Sequence, residues 1–324
     1  MRNVLLGLCV LCLTLAVCHP VQAAAWQPER EIRILIPYNA GGQNDLCARK
    51  IAAIVQQKKL LPVAMVVVNM PGAATREALT ELHKAKPDGY TVMVHQTALL
   101  AASALGQGQF PYAVDDFTSV CGFADFPNLL SVRNDAPWKN IQELVEEAKK
   151  KPGTLRCAIP GVGGTNHFSL LNFIINGKFQ DIIKLIPTSG GAPAVAALMG
   201  KQVEMRCTGA PDLARFMRAG EERPLLLLDA KPNEKFPGVP DLKSAFGIEK
   251  GVVTRMGVFG PPKIPKEIAE ALSAAVKAAV ETEDFKTFCE EQMAVRIFRD
   301  GLAWFTQHKE DEVVIKAIAK SIKN

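Results

Sequence analysis

The stretch that decides the fold is IPYNAGGQNDLCARK, residues 36–50, in which strand-like residues give way to helix-like residues through the pair Gly41-Gly42. Two later stretches repeat the design, IPGVGGTNH from Ile159 and IPTSGGAPA from Ile186. Glycine tolerates positive φ values and lets a ligand approach the backbone closely. Three glycine-rich corners of one design therefore predict one shared task.

Strand-like runs and helix-period segments alternate through most of the chain, which predicts an α/β fold of parallel sheets with helices on both faces. The predicted strands are 32–36, 65–69, 90–95, 129–132, 155–159, 182–186, 203–207, 225–229 and 256–259. The predicted helices are 46–57, 76–84, 141–150, 168–175, 192–199 and 213–219. The closing part, residues 265–323, is predicted to be almost entirely helical.

This alternation runs twice, and a chain of this length has enough residues to bury two cores. We therefore predict two doubly wound lobes around a ligand cleft. The first lobe is predicted to be discontinuous, with residues 26–125 and 255–324, and the second to comprise residues 126–254. Extended pieces within 117–133 are expected to carry the chain from one lobe to the other.

Residues 1–25 have the features of a secretory signal peptide, with Arg2 as the single cation before an apolar run at 4–18. That run is shorter than the 18 or more apolar residues typical of a membrane-spanning helix. We expect a soluble protein exported to the periplasm. A lipid anchor on Cys18 is the alternative, disfavoured by the bulky Val17 before it.

Charge and cysteine content exclude several protein classes. The formal net charge is only +5 and no basic stripe is present, so nucleic acid is not an expected partner. The five cysteines after the signal peptide show no Cys-x-x-Cys spacing, so we expect them to be buried apolar groups and predict no metal site. A single disulfide, such as Cys157 with Cys207, stays open as an alternative.

The chemistry of the corners favours a small anion. Ligands of open α/β sheets bind beyond the carboxyl ends of strands, where helix starts present unpaired N–H groups. No Gly-x-x-x-x-Gly-Lys-[Ser/Thr] loop follows any glycine pair, and GVGGTN lacks the final glycine of a dinucleotide loop. We predict a carboxylate ligand and no cofactor. Asn44 is expected to cap the helix and Asp45 to cap it or hold the loop, and His167 either donates to the anion or packs internally.

By these residues the chain resembles the Bug family, the periplasmic solute receptors of tripartite tricarboxylate transporters. The similarity covers essentially all of the chain after the signal peptide. The stretches that carry it are IRILIPYNAGGQNDLCAR, PDGYTVMV, GVGGTNH, GGAPAVAALMGKQVEM and FPGVPDLKSAFG. The resemblance implies two lobes of the type II periplasmic binding protein class. It also implies a carboxylated ligand held in the cleft by backbone groups and waters.

Carried onto this chain, the resemblance places two glycine loops at the ligand. The first loop contributes Tyr38, Asn39, Ala40, Gly41, Gly42 and Asn44, and the second contributes Gly161, Val162, Gly163, Gly164, Thr165 and Asn166. The chain departs from the family's pattern near the distal side of the expected pocket. His95, Gln96, Thr97, Ser189 and Arg255 are therefore candidates for reading the rest of the ligand. Arg255 would pair a second carboxylate or lie on the surface.

The expected partners are the carboxylate ligand and integral membrane transporter subunits, and we expect a monomer. A receptor that feeds a membrane sensor would use the same binding chemistry. A secreted hydrolase is the alternative from another class, although the chain contains neither Gly-x-Ser-x-Gly nor His-Glu-x-x-His. Substitution of Gly41 or Gly163 by valine is expected to abolish binding and to leave the fold largely intact.

Overall fold

The computed structural model describes residues 26–72, 75–97 and 112–323, which form two β-sheets with helices on both faces. The predicted signal peptide, including Cys18, lies outside these ranges. In the part of the chain that is described, no helix is both long enough and apolar enough to span a bilayer.

The strands follow the predicted order closely, with two additions to the predicted list, one within the extended pieces expected at 117–133 and one near the C-terminus. In chain order they are β1 (Ile32–Ile36), β2 (Met65–Asn69), β3 (Thr91–Gln96), β4 (Thr118–Phe126), β5 (Asn128–Arg133), β6 (Leu155–Pro160), β7 (Ile183–Thr188), β8 (Met205–Gly209), β9 (Glu222–Leu227), β10 (Thr254–Gly260) and β11 (Val295–Asp300).

The helices connect most of these strands. In chain order they are α1 (Gln43–Gln57), α2 (Arg76–Lys84), α3 (Ile141–Lys150), α4 (Thr165–Asn176), α5 (Gly191–Met199), α6 (Ala210–Arg218), α7 (Leu242–Phe246), α8 (Lys266–Val280), α9 (Glu283–Glu291) and α10 (Gly301–Lys323), with a 3-10 turn at Val114–Asp116.

The first sheet has the strand order β11-β4-β10-β3-β1-β2. β1 pairs in parallel with β2 and β3, whereas β10 is antiparallel to β3 and β4. Successive residues of a strand point to opposite faces. Ile34 accordingly packs in a core with residues of α1 and α8, and Leu35 packs in another with residues of α2 and α10. We call this sheet and its helices the first lobe.

The second sheet has the order β7-β6-β8-β5-β9 and forms the second lobe with its helices. β6 is parallel to β7 and β8, and β5 is antiparallel to β8 and β9. The same alternation covers both of its faces. Cys157 and Ile159 belong to a core with Phe173 of α4, whereas Ala158 packs with Leu198 of α5.

Two expectations from the sequence are wrong. The sheets are mixed instead of parallel, because each receives strands that cross between the lobes and run antiparallel to their neighbours. Residues 265–323 are not almost entirely helical, since β11 interrupts them. β11 pairs with β4 at the sheet edge, and Arg299 of β11 forms a two-pronged ion pair with Asp125 of β4 at 2.7 and 2.9 Å.

The prediction that the five cysteines are buried is confirmed, whereas the alternative of a disulfide is not. Cys47, Cys121, Cys157, Cys207 and Cys289 are all free and buried. Burial raises the pKa of Cys121 and Cys207 well above the usual range, so these thiols are protonated at neutral pH. The Cys207 thiol lies 3.2 Å from the carbonyl oxygen of Asn166 and forms no disulfide with Cys157.

At its first crossing the chain passes from the first sheet to the second through a single residue, Pro127, which separates β4 from β5. A buried network pins this crossing against the return segment. The amide of Asn128 donates to Ser169 Oγ at 2.8 Å and to the carbonyl oxygen of Val252 at 3.3 Å. The hydroxyl of Thr254 donates to Asn128 Oδ1 at 3.2 Å. We refer to Asn128, Ser169, Val252 and Thr254 as the crossing network.

Candidate functional site

A cavity of about 550 Å³ lies where corners from both lobes meet. It contacts the starts of α1 and α4, which follow the carboxyl ends of β1 and β6. This is the position at which open α/β sheets bind ligands. The lining residues are Tyr38, Gly41, Gly42, Gln43, Leu46, Gln96, Phe126, Asn128, Pro160, Gly164, Thr165, Asn166, Gly209, Pro211, Asp212, Arg215, Thr254 and Gln292.

The first corner is held in shape by a buried carboxylate. Gly41 has a φ of +81°, a conformation that suits glycine, and its N–H donates to Asp45 Oδ2 at 2.9 Å. Arg49 donates to both oxygens of Asp45, and Asn69 Nδ2 donates to Oδ1 at 2.9 Å. Asp45 therefore holds the loop, as predicted, and Gly42, the residue before α1, leaves the helix start without a side-chain cap.

The negative charge of Asp45 is compensated by hydrogen-bond donors inside the protein. Burial alone would raise the pKa of Asp45, but hydrogen bonds from Arg49, Gly41 and Asn69 outweigh it and hold the pKa below its ordinary value. The carboxylate is thus ionised at neutral pH and paired with Arg49. Asp45 is buried and does not line the cavity. Its repulsion of an anionic ligand is correspondingly reduced.

The second corner repeats this arrangement with a different side chain. Gly163 has a φ of +84°, and its N–H donates to His167 Nδ1 at 3.1 Å, again four residues along the chain. Burial lowers the pKa of His167, which favours the neutral ring that can accept this bond. His167 Nδ1 is therefore an acceptor for the loop and does not donate to an anion. Gly164, the residue before α4, also leaves its helix start without a side-chain cap.

The two helix starts leave neutral donors at the cavity. The first intrahelical bonds run from Leu46 N–H to Gly42 O and from Phe168 N–H to Gly164 O. The N–H groups of the residues between them have no intrahelical acceptor, as at every helix start. Gln43, Thr165 and Asn166 carry such groups and line the cavity. Two positive helix ends from different lobes thus face one space.

The third corner does not join this cavity. Gly190 lies between β7 and α5, but neither Gly190 nor Ser189 lines the cavity. The reason is topological, because β7 is the edge strand of its sheet. A corner that the sequence reasoning passed over takes its place. Gly209 starts α6 after the more central β8, and Gly209 and Pro211 line the cavity.

The side wall of the first lobe is polar and neutral. Burial raises the pKa of Tyr38 to about 12, with a smaller opposing effect of its hydrogen bond to Gln96. The phenol is therefore protonated, and both side chains line the cavity. Behind them, His95 is fully buried, accepts the N–H of Gln96 at Nδ1, and lies edge-on to Tyr38. Burial lowers the pKa of His95 to about 4.

The structure brings six of the fifteen predicted site residues together at the cavity: Tyr38, Gly41, Gly42, Gly164, Thr165 and Asn166. The other nine do not line it: Asn39, Ala40, Asn44, Thr97, Gly161, Val162, Gly163, Ser189 and Arg255. Asn44 is buried inside α1 and does not cap it. Thr97 is buried and accepts the N–H of Arg255 at 3.0 Å. Val162 is 61% exposed.

Arg255 lies elsewhere, against a separate cavity of about 170 Å³. Its guanidinium lies 3.3 Å from Asp311 and 3.9 Å from Asp125, so its charge is already compensated by two carboxylates. Neither of the alternatives predicted for Arg255 describes it, since it is a mostly buried ion-pair residue that does not reach the larger cavity. Burial raises the pKa of Asp311 to about 6.

Sequence reasoning missed the polar residues that α6 and the crossing network contribute. Asp212 and Arg215 lie on α6, and Asn128 and Thr254 belong to the crossing network. TGAPDLAR, residues 208–215, has one glycine where the three predicted corners have a pair, so the glycine-pair pattern does not detect it. Within the described residues, no group of three or more His, Cys, Asp or Glu side chains is placed to hold a metal ion.

Comparison with known families decides the identity of this arrangement. The family model described as "Tripartite tricarboxylate transporter family receptor" (TctC) matches residues 47–302. The chain belongs to this family. The prediction of a Bug-type receptor is thereby confirmed, and the chain is a solute receptor of the TctC family instead of a hydrolase.

Two curated relatives illustrate the TctC similarity. The UPF0065 protein in the gbd 5' region of Cupriavidus necator is 30% identical over 275 residues, covering 82% of this chain and 80% of the relative. BugT of Bordetella pertussis is 26% identical over 272 residues, covering 83% of this chain and 82% of the relative.

Solved structures of TctC-type receptors share the two-lobed architecture. A TctC solute-binding protein from Polaromonas has a TM-score of 0.77 at 27% identity, covering 91% of this chain and 99% of that protein. MatC from Rhodopseudomonas palustris, solved with bound malate, has a TM-score of 0.74 at 26% identity, covering 90% of this chain and 99% of MatC. An R. palustris protein solved with adipate has a TM-score of 0.75 at 26% identity, covering 90% of this chain and 97% of that protein. The predicted fold class is confirmed.

Proposed function

We propose that this TctC receptor binds a small carboxylate between its lobes and delivers it to the membrane subunits of a tripartite tricarboxylate transporter. The observation that carries the proposal is that two helix starts without side-chain caps, at Gly42 and Gly164, face one cavity from different lobes. A carboxylate suits this space because neutral N–H donors and helix dipoles stabilise a negative charge. The malate and adipate of two similar structures support this ligand class.

The magnitudes are adequate for a receptor. A micromolar complex requires about −8 kcal/mol. A hydrogen bond to a charged group contributes about 1.5–3 kcal/mol, so three or four such bonds suffice after the ordering costs of binding. Gln43, Thr165 and Asn166 provide N–H donors of this kind at the cavity. No lysine at the corner is needed.

Binding is proposed to favour a closed form. A ligand that contacts both lobes only when they are shut shifts the population towards that form, which then docks on the transporter. The crossing network is the proposed hinge because it joins both connections at the cavity wall. We propose lobe limits at 26–125 with 255–324, and at 126–254. The passage of the chain through Pro127 and its return at Thr254 support these limits.

We further propose that the protein acts in the periplasm as a monomer, after removal of residues 1–25. The match to the family of tripartite tricarboxylate transporter receptors supports the proposed location.

A thermal-shift screen of the protein without residues 1–25 tests the proposal. The panel contains mono-, di- and tricarboxylates, aromatic acids and acidic amino acids, each beside the corresponding neutral amide. Carboxylates are expected to raise the melting temperature in a concentration-dependent way, because a ligand that binds only the folded state stabilises it. The amides are expected to have no effect. A panel in which no carboxylate binds would overturn the proposed function.

A further inference from the structure

The cavity carries two charged side chains among its lining residues, Asp212 and Arg215, and both belong to α6. Every other residue that lines it is neutral. The helix starts account for recognition of one carboxylate, but they do not use these two charges. Because Gly209, the residue before α6, lies on the cavity wall, the side chains of α6 lie next to whatever part of a ligand extends beyond the first carboxylate.

Helix geometry places Arg215 along this wall. Pro211 and Arg215 are four residues apart and therefore lie on one face of α6, separated by about 6 Å along its axis. Both line the cavity, which fixes that face towards the ligand space. Arg215 is exposed, so its long side chain is free to follow a ligand.

The charge of Arg215 is not compensated by a carboxylate. Within the described ranges, Arg215 forms no ion pair, not even with Asp212 three residues before it, and its guanidinium only lies 4.8 Å from the neighbouring Phe216 ring. Arg206 provides the contrast, because its guanidinium is buried and paired with Glu222 at 2.9 Å. Arg215 is thus an available planar donor of the type that binds carboxylates through two parallel hydrogen bonds.

We propose that Arg215 is the residue that determines preference for ligands with a second carboxylate, an inference that rests on the proposed function. One carboxylate of the ligand occupies the space between the starts of α1 and α4, and the other pairs with Arg215. Asp212 lines the same cavity and opposes the binding of any anion there. A ligand with one carboxylate and an apolar tail gains nothing from Arg215.

Calorimetric titration of dicarboxylates of four to seven carbons, each beside the monocarboxylate of equal length, tests this assignment. Arg215→Gln is expected to weaken binding of the preferred dicarboxylate by about tenfold to a hundredfold, the value of one charge-assisted hydrogen bond. Monocarboxylate affinity is expected to stay within threefold. Arg215→Lys should fall between, because it keeps the charge and loses the planar fork. Asp212→Asn should strengthen binding of both ligand types.

Arg218→Gln is the matched control, since Arg218 is an exposed cation of the same helix that does not line the cavity. It is expected to leave both affinities unchanged. Equal loss for mono- and dicarboxylates in Arg215→Gln, or no loss for either, would overturn the assignment and leave the proposed function standing. A wild-type protein that binds no carboxylate would overturn both, and melting curves of each variant show whether the fold is retained.

Discussion

Substitution of Gly164 by valine separates the binding role of a corner from its structural role. Gly164 has φ −82° and ψ 171°, which valine adopts readily, and a Cβ added there meets no atom within 4 Å. The new side chain would occupy open space at the start of α4, where Thr165 and Asn166 present their N–H groups. We therefore expect a folded protein whose second corner no longer reaches the carboxylate.

The expected loss follows from the donors removed. Two hydrogen bonds to a charged group are worth about 3–6 kcal/mol together, which is roughly a hundredfold to ten-thousandfold in affinity. Isothermal titration with the best carboxylate of the screen measures this change. Gly164→Ala, with a smaller side chain, should lose less. An affinity of Gly164→Val within threefold of wild type, in a protein with an unchanged melting temperature, would refute the reasoning.

Gly163 provides the contrast in stability and corrects the substitution proposed from the sequence. Its φ of +84° lies in the left-handed region, where a residue with a Cβ costs about 1–2 kcal/mol. Gly163→Val should therefore lower the free energy of unfolding, and Gly41→Val should do so for the same reason at φ +81°. Both variants are therefore expected to fold with lower stability than the wild type. Chemical denaturation should rank Gly164→Val above both in stability.

Two further predictions concern pH and the residues behind the cavity. Asp45→Asn should destabilise the protein at neutral pH by about 1–3 kcal/mol, because Gly41 and Arg49 lose charge-assisted bonds. Since the folded pKa of Asp45 is depressed, the stability that its carboxylate contributes is complete above the ordinary value of 3.8 and is lost at lower pH. Equal melting temperatures of Asp45→Asn and wild type at neutral pH would contradict this prediction. Burial lowers the pKa of His95 from 6.5 to about 4, so its contribution is complete above pH 6.5 and declines as the pH falls towards 4. His95→Asn, which keeps an acceptor for the Gln96 N–H, should show a shallower decline in that window, and parallel melting curves of the two proteins would contradict the assignment.

The local parts of this fold were predictable from the sequence. β1, β2, α2 and α3 have the predicted bounds, because their hydrophobic periods and flanking turn residues are short-range signals. The Gly41-Gly42 corner was predictable for the same reason. The loop-holding role of Asp45 also follows from a contact only four residues long.

Features that depend on distant pairing were not predictable. β11 is established by its pairing with β4, more than 160 residues earlier in the chain, and its six residues lie between two helices. The Gly190 corner has the same local design as the Gly164 corner, but β7 is an edge strand and β6 is not. The two carboxylates beside Arg255, Asp125 and Asp311, are distant from it in the sequence, so the sequence alone does not show that its charge is compensated.

A crystal structure of the protein with its bound carboxylate tests the central claim most directly. We expect one carboxylate group to lie between the starts of α1 and α4, with its oxygens within about 2.7–3.2 Å of backbone nitrogens from both helices. Gln43 on one side and Thr165 or Asn166 on the other are the expected donors. A carboxylate held by one lobe alone, or bound outside this cavity, would contradict it.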